Sequence, residues 1–328
     1  MEQLIKKIKS NENIEKLEID PHQYPEHNLK ILTLALKKNK SIKNIKISGS
    51  FNIKCWLIIS NLLLSNTKRS IHLSLFQSTD KAKIILLDAL RSNTDQEVHL
   101  SDSLDGEKLI YALSDVIKVN TSIRSIDLRN SKISVKGMID LSKSLEVNKS
   151  ITEISLNSAE LEYQGIIALS KALMVNTTLK EIDLSSIYAG NKGAIALSEA
   201  LKVNSSLRKI KLYSFYIGNI GMIALSNALK INTSIRLIDL SCNKIGDKGM
   251  IALSETLKVN TSIIWIDISR NPIGNKGMYA LSQALKTNIG LQQINFTDFK
   301  IRHKGMNSIS EAILVNKSLK NFTKTLVG

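Results

Sequence analysis

The sequence predicts an α/β fold: a curved solenoid of about eleven strand–loop–helix units, with a parallel sheet on the concave side and helices on the convex side. Three observations predict it. The first is a ladder of asparagines at Asn11, Asn39, Asn66, Asn93, Asn120, Asn148, Asn176, Asn204, Asn232, Asn260, Asn288 and Asn316. Its first step is 28 residues, the next three are 27, and the last seven are 28. The second is a short alternating apolar pattern after each asparagine, and the third is a helical text opened by glycine before the next. Units of this size cannot bury their own apolar faces, so each must stack on its neighbours.

The span from Asn120 to Asn148 shows each element in turn. Ile123, Ile126 and Leu128 form an I-x-x-I-x-L pattern, followed by Ile133. Alternation around Ile126 and Leu128 predicts a short strand with those side chains inward and Ser125, Asp127 and Arg129 outward. Gly137 then opens a helix on which Gly137, Met138, Leu141, Ser144, Leu145 and Asn148 share one arc, opposite Lys143 and Glu146. The asparagine closes that helix in the left-handed conformation it tolerates, and its side chain can satisfy loose backbone groups in the turn. The same helical text recurs as GIIALSKALMVN, GAIALSEALKVN, GMIALSNALKIN, GMIALSETLKVN and GMYALSQALKTN. Strands spaced about 4.8 Å apart and helices about 8–10 Å apart make such a stack bend.

The register runs through the chain without a Pro/Gly/Ser-rich break, so residues 1–328 read as a single domain. Within it, 1–10 form an N-terminal capping helix, 11–119 irregular repeats, 120–315 regular 28-residue repeats, and 316–328 a C-terminal partial repeat. The apolar content of 43% is ample for a continuous core. No apolar run approaches the roughly 18 residues of a membrane span, and no signal peptide follows the charged start. Cys55 and Cys242 lie in widely separated repeats, which points to a reducing compartment. From Asn120 onward seven ladder asparagines begin N-x-S/T, yet the fold needs their side chains internally, and a cytoplasmic location is expected.

The segment I-R-L-I-D-L-S-C-N-K-I from Ile235, continued by GDKGMIALSETLKVN, resembles leucine-rich repeats of the ribonuclease-inhibitor-like class. That class includes the receptor ends of NLR sensors, Ran GTPase activators and many proteins of intracellular bacteria. The resemblance covers essentially the whole chain and implies a horseshoe that binds protein. The asparagine that the class places after the strand stands here at Asn243 and Asn271; Ser131, Ala159, Ile187, Phe215 and Phe299 replace it elsewhere. Residues 50–105 lack the glycine, so irregular loops are expected there.

Between the two inward positions of successive strands lie Glu18, Lys46, His72, His99, Asp127, Ser155, Asp183, Lys211, Asp239, Asp267 and Asn295. That wall is polar and of mixed sign. A nucleic acid would want a positive row tracking its backbone, so the wall speaks against one despite a net charge of +16. One region stands out as a partner-binding candidate. Leu237 and Trp265 hold equivalent outward positions beside Lys209, Tyr213 lies one outward position further along, and Tyr188 and Tyr216 follow in neighbouring loops. Ringed by Lys209, Lys211, Arg270 and Asp239, these residues have the make-up of a protein-binding hot spot.

Other features carry weaker readings. His72 beside His99, with Glu97 and Asp127 near, has ligand types that suit zinc, but a mixed polar wall produces such neighbours by chance; no metal and no cofactor is expected. A basic row precedes the asparagines (including Lys118, Lys202, Lys230, Lys258 and Lys286) and another precedes the glycines (including Lys136, Lys192 and Lys248). These keep a long apolar stack soluble, and an acidic membrane surface or RNA is the alternative use. Ile167, Ile195, Ile223, Ile251 and Tyr279 share one outward-leaning position explained by packing between helices. Single glycines at helix starts form no phosphate loop, and neither cysteine has a histidine partner, so no enzymatic activity is expected.

The expected function is a non-catalytic protein–protein interaction scaffold, a monomer binding its partner on the concave wall. The Lys/Ile/Asn bias resembles repeat proteins of intracellular bacteria. Such a protein would act as an effector on a host protein after secretion into the host cytosol, and Leu326-Val327-Gly328 resembles one feature of a type IV secretion tail. A Ran-type GTPase activator, or a binder of anionic lipid or nucleic acid through the basic convex face, is the alternative.

Overall fold

A computed structural model describes residues 2–10, 16–19, 26–39, 42, 44–48, 70–74, 84, 87–88, 90–91, 97–100, 107–297 and 303–323. Two compact units divide the chain, Met1–Glu160 and Leu161–Gly328.

In the first unit, strands β1 (Lys16–Ile19), β2 (Asn44–Ser48), β3 (Ser70–Ser74), β4 (Glu97–His99), β5 (Ser125–Asp127) and β6 (Glu153–Ser155) pair in parallel in chain order. Helices Glu2–Lys9, Glu26–Lys38, Glu107–Val119 and Val135–Val147 accompany them. The register aligns Glu18, Lys46, His72, His99, Asp127 and Ser155 in one row. That row is the one the apolar alternation predicts.

The second unit repeats the plan with greater regularity. Its strands are β7 (Glu181–Asp183), β8 (Lys209–Lys211), β9 (Leu237–Asp239), β10 (Trp265–Asp267), β11 (Gln293–Asn295) and β12 (Asn321–Thr323), each parallel to the next. The helices are Tyr163–Val175, Gly190–Val203, Asn219–Ile231, Asp247–Leu257, Asn275–Thr287 and His303–Val315. Alternating strand and helix with a parallel open sheet is the α/β repeat stack expected from the sequence. The middle residue of each strand points inward: Ile182, Ile210, Ile238, Ile266 and Ile294 are all buried against the helix row Met222, Leu225, Leu229 and its equivalents. Each such side chain contributes about 1.5–3 kcal/mol by leaving water.

The ladder asparagines depart from expectation in backbone and meet it in side chain. They are not left-handed: Asn148, Asn176, Asn204, Asn232 and Asn288 have φ between −66° and −74° and extended ψ. The reason lies in what the side chain does. Asn232 Oδ1 accepts from the backbone N–H of Ser234 (2.9 Å) and Ile235 (2.9 Å). Its Nδ2 donates backwards to the carbonyls of Leu201 (2.8 Å) and Asn204 (2.9 Å) in the preceding repeat. An extended backbone aims the amide at the neighbour, where a left-handed turn would fold it away. Asn204, Asn260, Asn288 and Asn316 make the same backward bonds. Left-handed positions sit elsewhere: just after the strands at Asn130, Ser158, Ser186, Ser214, Cys242 and Arg270, and further on at Gly190 and Tyr216.

A second ladder joins helix starts. Asn191 Oδ1 accepts from the N–H of Gly218 and Gly221 (both 2.9 Å), Asn219 does so for Gly246 and Gly249, and Asp247 for Gly274 and Gly277. Donors at these three helix starts are thus satisfied by the preceding repeat instead of by a local cap, whereas Val135–Val147 is capped locally by Ser134 Oγ on Gly137 N. Close approach demands glycine. A Cβ on Gly277 would stand 2.7 Å from Ile273 Cγ2 and 2.9 Å from Asp247 Oδ1.

Candidate functional site

The candidate residues lie on or beside the outer face of β7–β11, in the second unit. The parallel register sets Lys209, Leu237, Trp265 and Gln293 side by side after Glu181, and Lys211, Asp239, Asp267 and Asn295 side by side after Asp183. Trp265 and Leu237 are half-buried, not sealed in the core. Their inward neighbours Ile238 and Ile266 anchor the strands, so the two apolar side chains are presented on a rigid sheet.

The two lysines do not ring the apolar pair as free charges. Lys209 Nζ donates to Glu181 Oε2 (2.9 Å) and Lys211 Nζ to Asp183 Oδ2 (3.1 Å), each reaching one strand back. Sequence reading placed Asp183 in the wall row beside Lys211 without pairing the two, and it missed Glu181. The 28-residue step connecting Glu181 to Lys209 and Asp183 to Lys211 was the available signal.

With those pairs formed, the remaining carboxylates are Asp239 and Asp267. Asp239 accepts from Ser241 Oγ (2.5 Å) and Ser241 N (2.9 Å). Asp267 accepts from Ser269 N (2.9 Å) and Asn295 Nδ2 (3.1 Å). Both thereby hold the strand exit, as Asp183 does through Ser185 N. Neither has a cationic partner among the described residues. Burial lifts the Asp239 carboxyl above its ordinary value; the Ser241 hydrogen bonds oppose this, and the charges of Asp267 and Asp183 add to it.

The tyrosines form two further groups. Tyr213 meets Cys242, and its phenol is held above its ordinary value first by a hydrogen bond with that thiol, while Arg270 pulls the other way. Tyr188 and Tyr216 pack together with ring centroids 4.5 Å apart, and Lys244 Nζ lies 4.6 Å from the Tyr216 ring centre. Hydrogen bonding with Tyr188 raises the Tyr216 phenol. Among the described residues no ring contact connects Trp265 to any tyrosine. The expected cluster therefore resolves into a Lys209–Leu237–Trp265 row, a Tyr213–Cys242–Arg270 group and a Tyr188–Tyr216–Lys244 group. Cys242 and Lys244 were not singled out from the sequence.

His72 and His99 are register neighbours, but their side chains, like Cys55, lie outside the described residues. Among the described residues no group of three or more His, Cys, Asp and Glu could hold a metal ion. Nor is any described helix long and apolar enough to cross a membrane. On the helix side, Lys118, Lys202 and Lys258 pair with acids one turn earlier, while Lys136 and Lys192 lie over Tyr111 and Tyr163.

A family model described as Leucine Rich repeat matches residues 119–142, 232–254 and 259–282. These segments are similar to leucine-rich repeats. Repeats of this kind generally mediate protein–protein interaction and generally serve as non-catalytic scaffolds. No curated protein matches the chain. Among solved structures, leiomodin-1 actin-binding site 2 is 19% identical over 38% of this chain and 75% of its own, with a TM-score of 0.35. The tropomodulin C-terminal domain of Caenorhabditis elegans is 18% identical over 47% and 92%, with a TM-score of 0.40. The yeast Rad7–Elc1 complex is 14% identical over 92% and 84%, with a TM-score of 0.49. At these values none of the three bears on function.

Proposed function

We propose that the chain acts as one non-catalytic scaffold that captures a protein partner on the outer face of β7–β11. The observation that carries this reading is Trp265, half-exposed beside Leu237 on an otherwise polar face and next to two carboxylates that no lysine neutralises among the described residues. An indole with an aliphatic neighbour supplies apolar contact at small entropic cost, and Asp239 with Asp267 selects a partner segment bearing Lys or Arg. Tyr188, Tyr213 and Tyr216, with Arg270, extend the surface at its strand-exit edge.

The test is capture from cell lysate with the wild-type chain and with Trp265→Ala. Truncating the indole is expected to weaken retention of the captured partner by at least ~2 kcal/mol, about 30-fold. Equal retention would remove the site. The composition, rich in Lys, Ile and Asn, supports the finer reading of a monomeric bacterial effector that engages a host protein in the host cytosol. A translocation reporter fused to the chain that never reaches host cytosol would dismiss that reading and leave the scaffold intact.

A further inference from the structure

The second unit has another exposed surface, along the edge where the ladder asparagines stack. Because each asparagine bonds to the backbone of the repeat before it, residues 28 apart in these turns are direct neighbours. Immediately before the asparagines stand Val175, Val203, Ile231, Val259 and Val315, exposed by 55%, 58%, 62%, 63% and 57%. Isolated exposed aliphatics are ordinary, but four successive rungs from Val175 to Val259 carry one, forming an apolar strip that Thr287 interrupts before Val315.

The charge along this strip is one-sided. The segments 174–180, 202–208, 230–236, 258–264, 286–292 and 314–320 contain nine Lys or Arg and no Asp or Glu. Acids from the helix bodies approach three of the nine: Glu199 at Lys202 and Glu255 at Lys258 (both 2.6 Å), and Glu311 at Lys286 (3.9 Å). The other six have no acidic partner among the described residues. Arg208 and Arg236 are pinned on the edge by bonds from Nη1 to the carbonyls of Ser234 (3.3 Å) and Ser262 (3.0 Å).

We infer that this asparagine edge docks on an anionic lipid surface, with Val203, Ile231 and Val259 entering the headgroup boundary while Arg208, Lys230 and Arg236 contact lipid phosphates and carboxylates. Aliphatics interleaved with unopposed cations are the composition that binds such an interface. A nucleic acid would use the cations and leave the aliphatics in water, and the strip offers no aromatic on which bases could stack. The outer face of β7–β11 remains free, so lipid docking and partner capture are compatible.

The test is flotation of the full chain with phosphatidylcholine vesicles, pure or containing about one-third phosphatidylserine. The wild type is expected to float with the anionic vesicles only. The triple variant R208E/K230E/R236E is expected to lose at least about 100-fold in partitioning, at about fivefold or more per cation. The triple variant V203S/I231S/V259S is expected to lose several-fold and to be stripped fully by salt. All six side chains are exposed, and although the charge variant gives up the Arg208 and Arg236 bonds to edge carbonyls, both variants are expected to keep the folded circular dichroism spectrum at the assay temperature. A wild type that stays soluble with anionic vesicles overturns the inference, as does either variant floating like wild type. So does capture by single-stranded RNA that the charge variant loses and the serine variant keeps, or a wild-type dimer in sedimentation that the serine variant dissociates.

Discussion

The asparagine edge and the outer sheet face of the second unit are both polar, yet they handle polarity in opposite ways. On the edge, every amide hydrogen-bond group of Asn232 is committed to backbone, and the side chain is buried. On the sheet face, Lys209 and Lys211 are held by single ion pairs that remain in contact with water, and Asp239 and Asp267 are uncompensated. Buried amides bonded on both sides cement the stack, whereas half-wet charges can exchange their partners for those of another molecule. Architecture resides in the first set, and the proposed recognition in the second.

That contrast breaks most visibly at the edge. Asn232→Ala strands two carbonyls and two N–H groups, and is expected to lower the unfolding free energy by about 3 kcal/mol or more in urea titrations. A loss below about 1 kcal/mol would show that the ladder is dispensable. The sheet face should be far more forgiving. A double-mutant cycle with Glu181→Ala and Lys209→Ala is expected to return a coupling of about 1 kcal/mol or less, because both groups keep contact with solvent.

The smallest effect sharpens the comparison through pH. Burial, opposed by Ser241 and reinforced by Asp267 and Asp183, raises the Asp239 carboxyl above its unfolded value. A raised carboxyl contributes stability that is full below the unfolded value and lost as pH rises through the folded one. Asp239→Asn is therefore expected to melt slightly higher than wild type near neutral pH, with the gap closing at acid pH. A gap that widens in acid would reverse the sign of the argument.

The fold was legible because a fixed period brings like residues together, so the apolar alternation at Ile126 or Ile238 identifies the inward row without coordinates. The same step places Lys209, Leu237 and Trp265 in one line. Less was legible wherever the answer depended on which way a polar group turns. The ladder asparagines read as left-handed caps because helix ends favour that conformation, but bonding across repeats needs them extended. Asn191, Asn219 and Asp247 recur at the ladder period, yet polar residues near a helix start look like ordinary solvated loop. The groups that donate to them are the next repeat's N–H groups, which the chain order alone does not bring to mind. Tyr213 read as part of the tryptophan cluster because it shares the outward side, yet no ring contact joins it to Trp265 among the described residues.

The offsets of those bonds have a consequence for how such a chain changes length. Asn232 reaches back 28 and 31 residues, Asn219 caps the helix 27 and 30 residues onward, and Lys209 grips an acid 28 residues earlier. Excising or duplicating a stretch of 28 residues would rejoin the donors and acceptors of both asparagine ladders in kind, although an ion pair such as Lys209–Glu181 would be changed. Gene-level slippage by one whole unit is thus conformationally silent at the junction, whereas a slip of a single codon would mismatch both ladders at once.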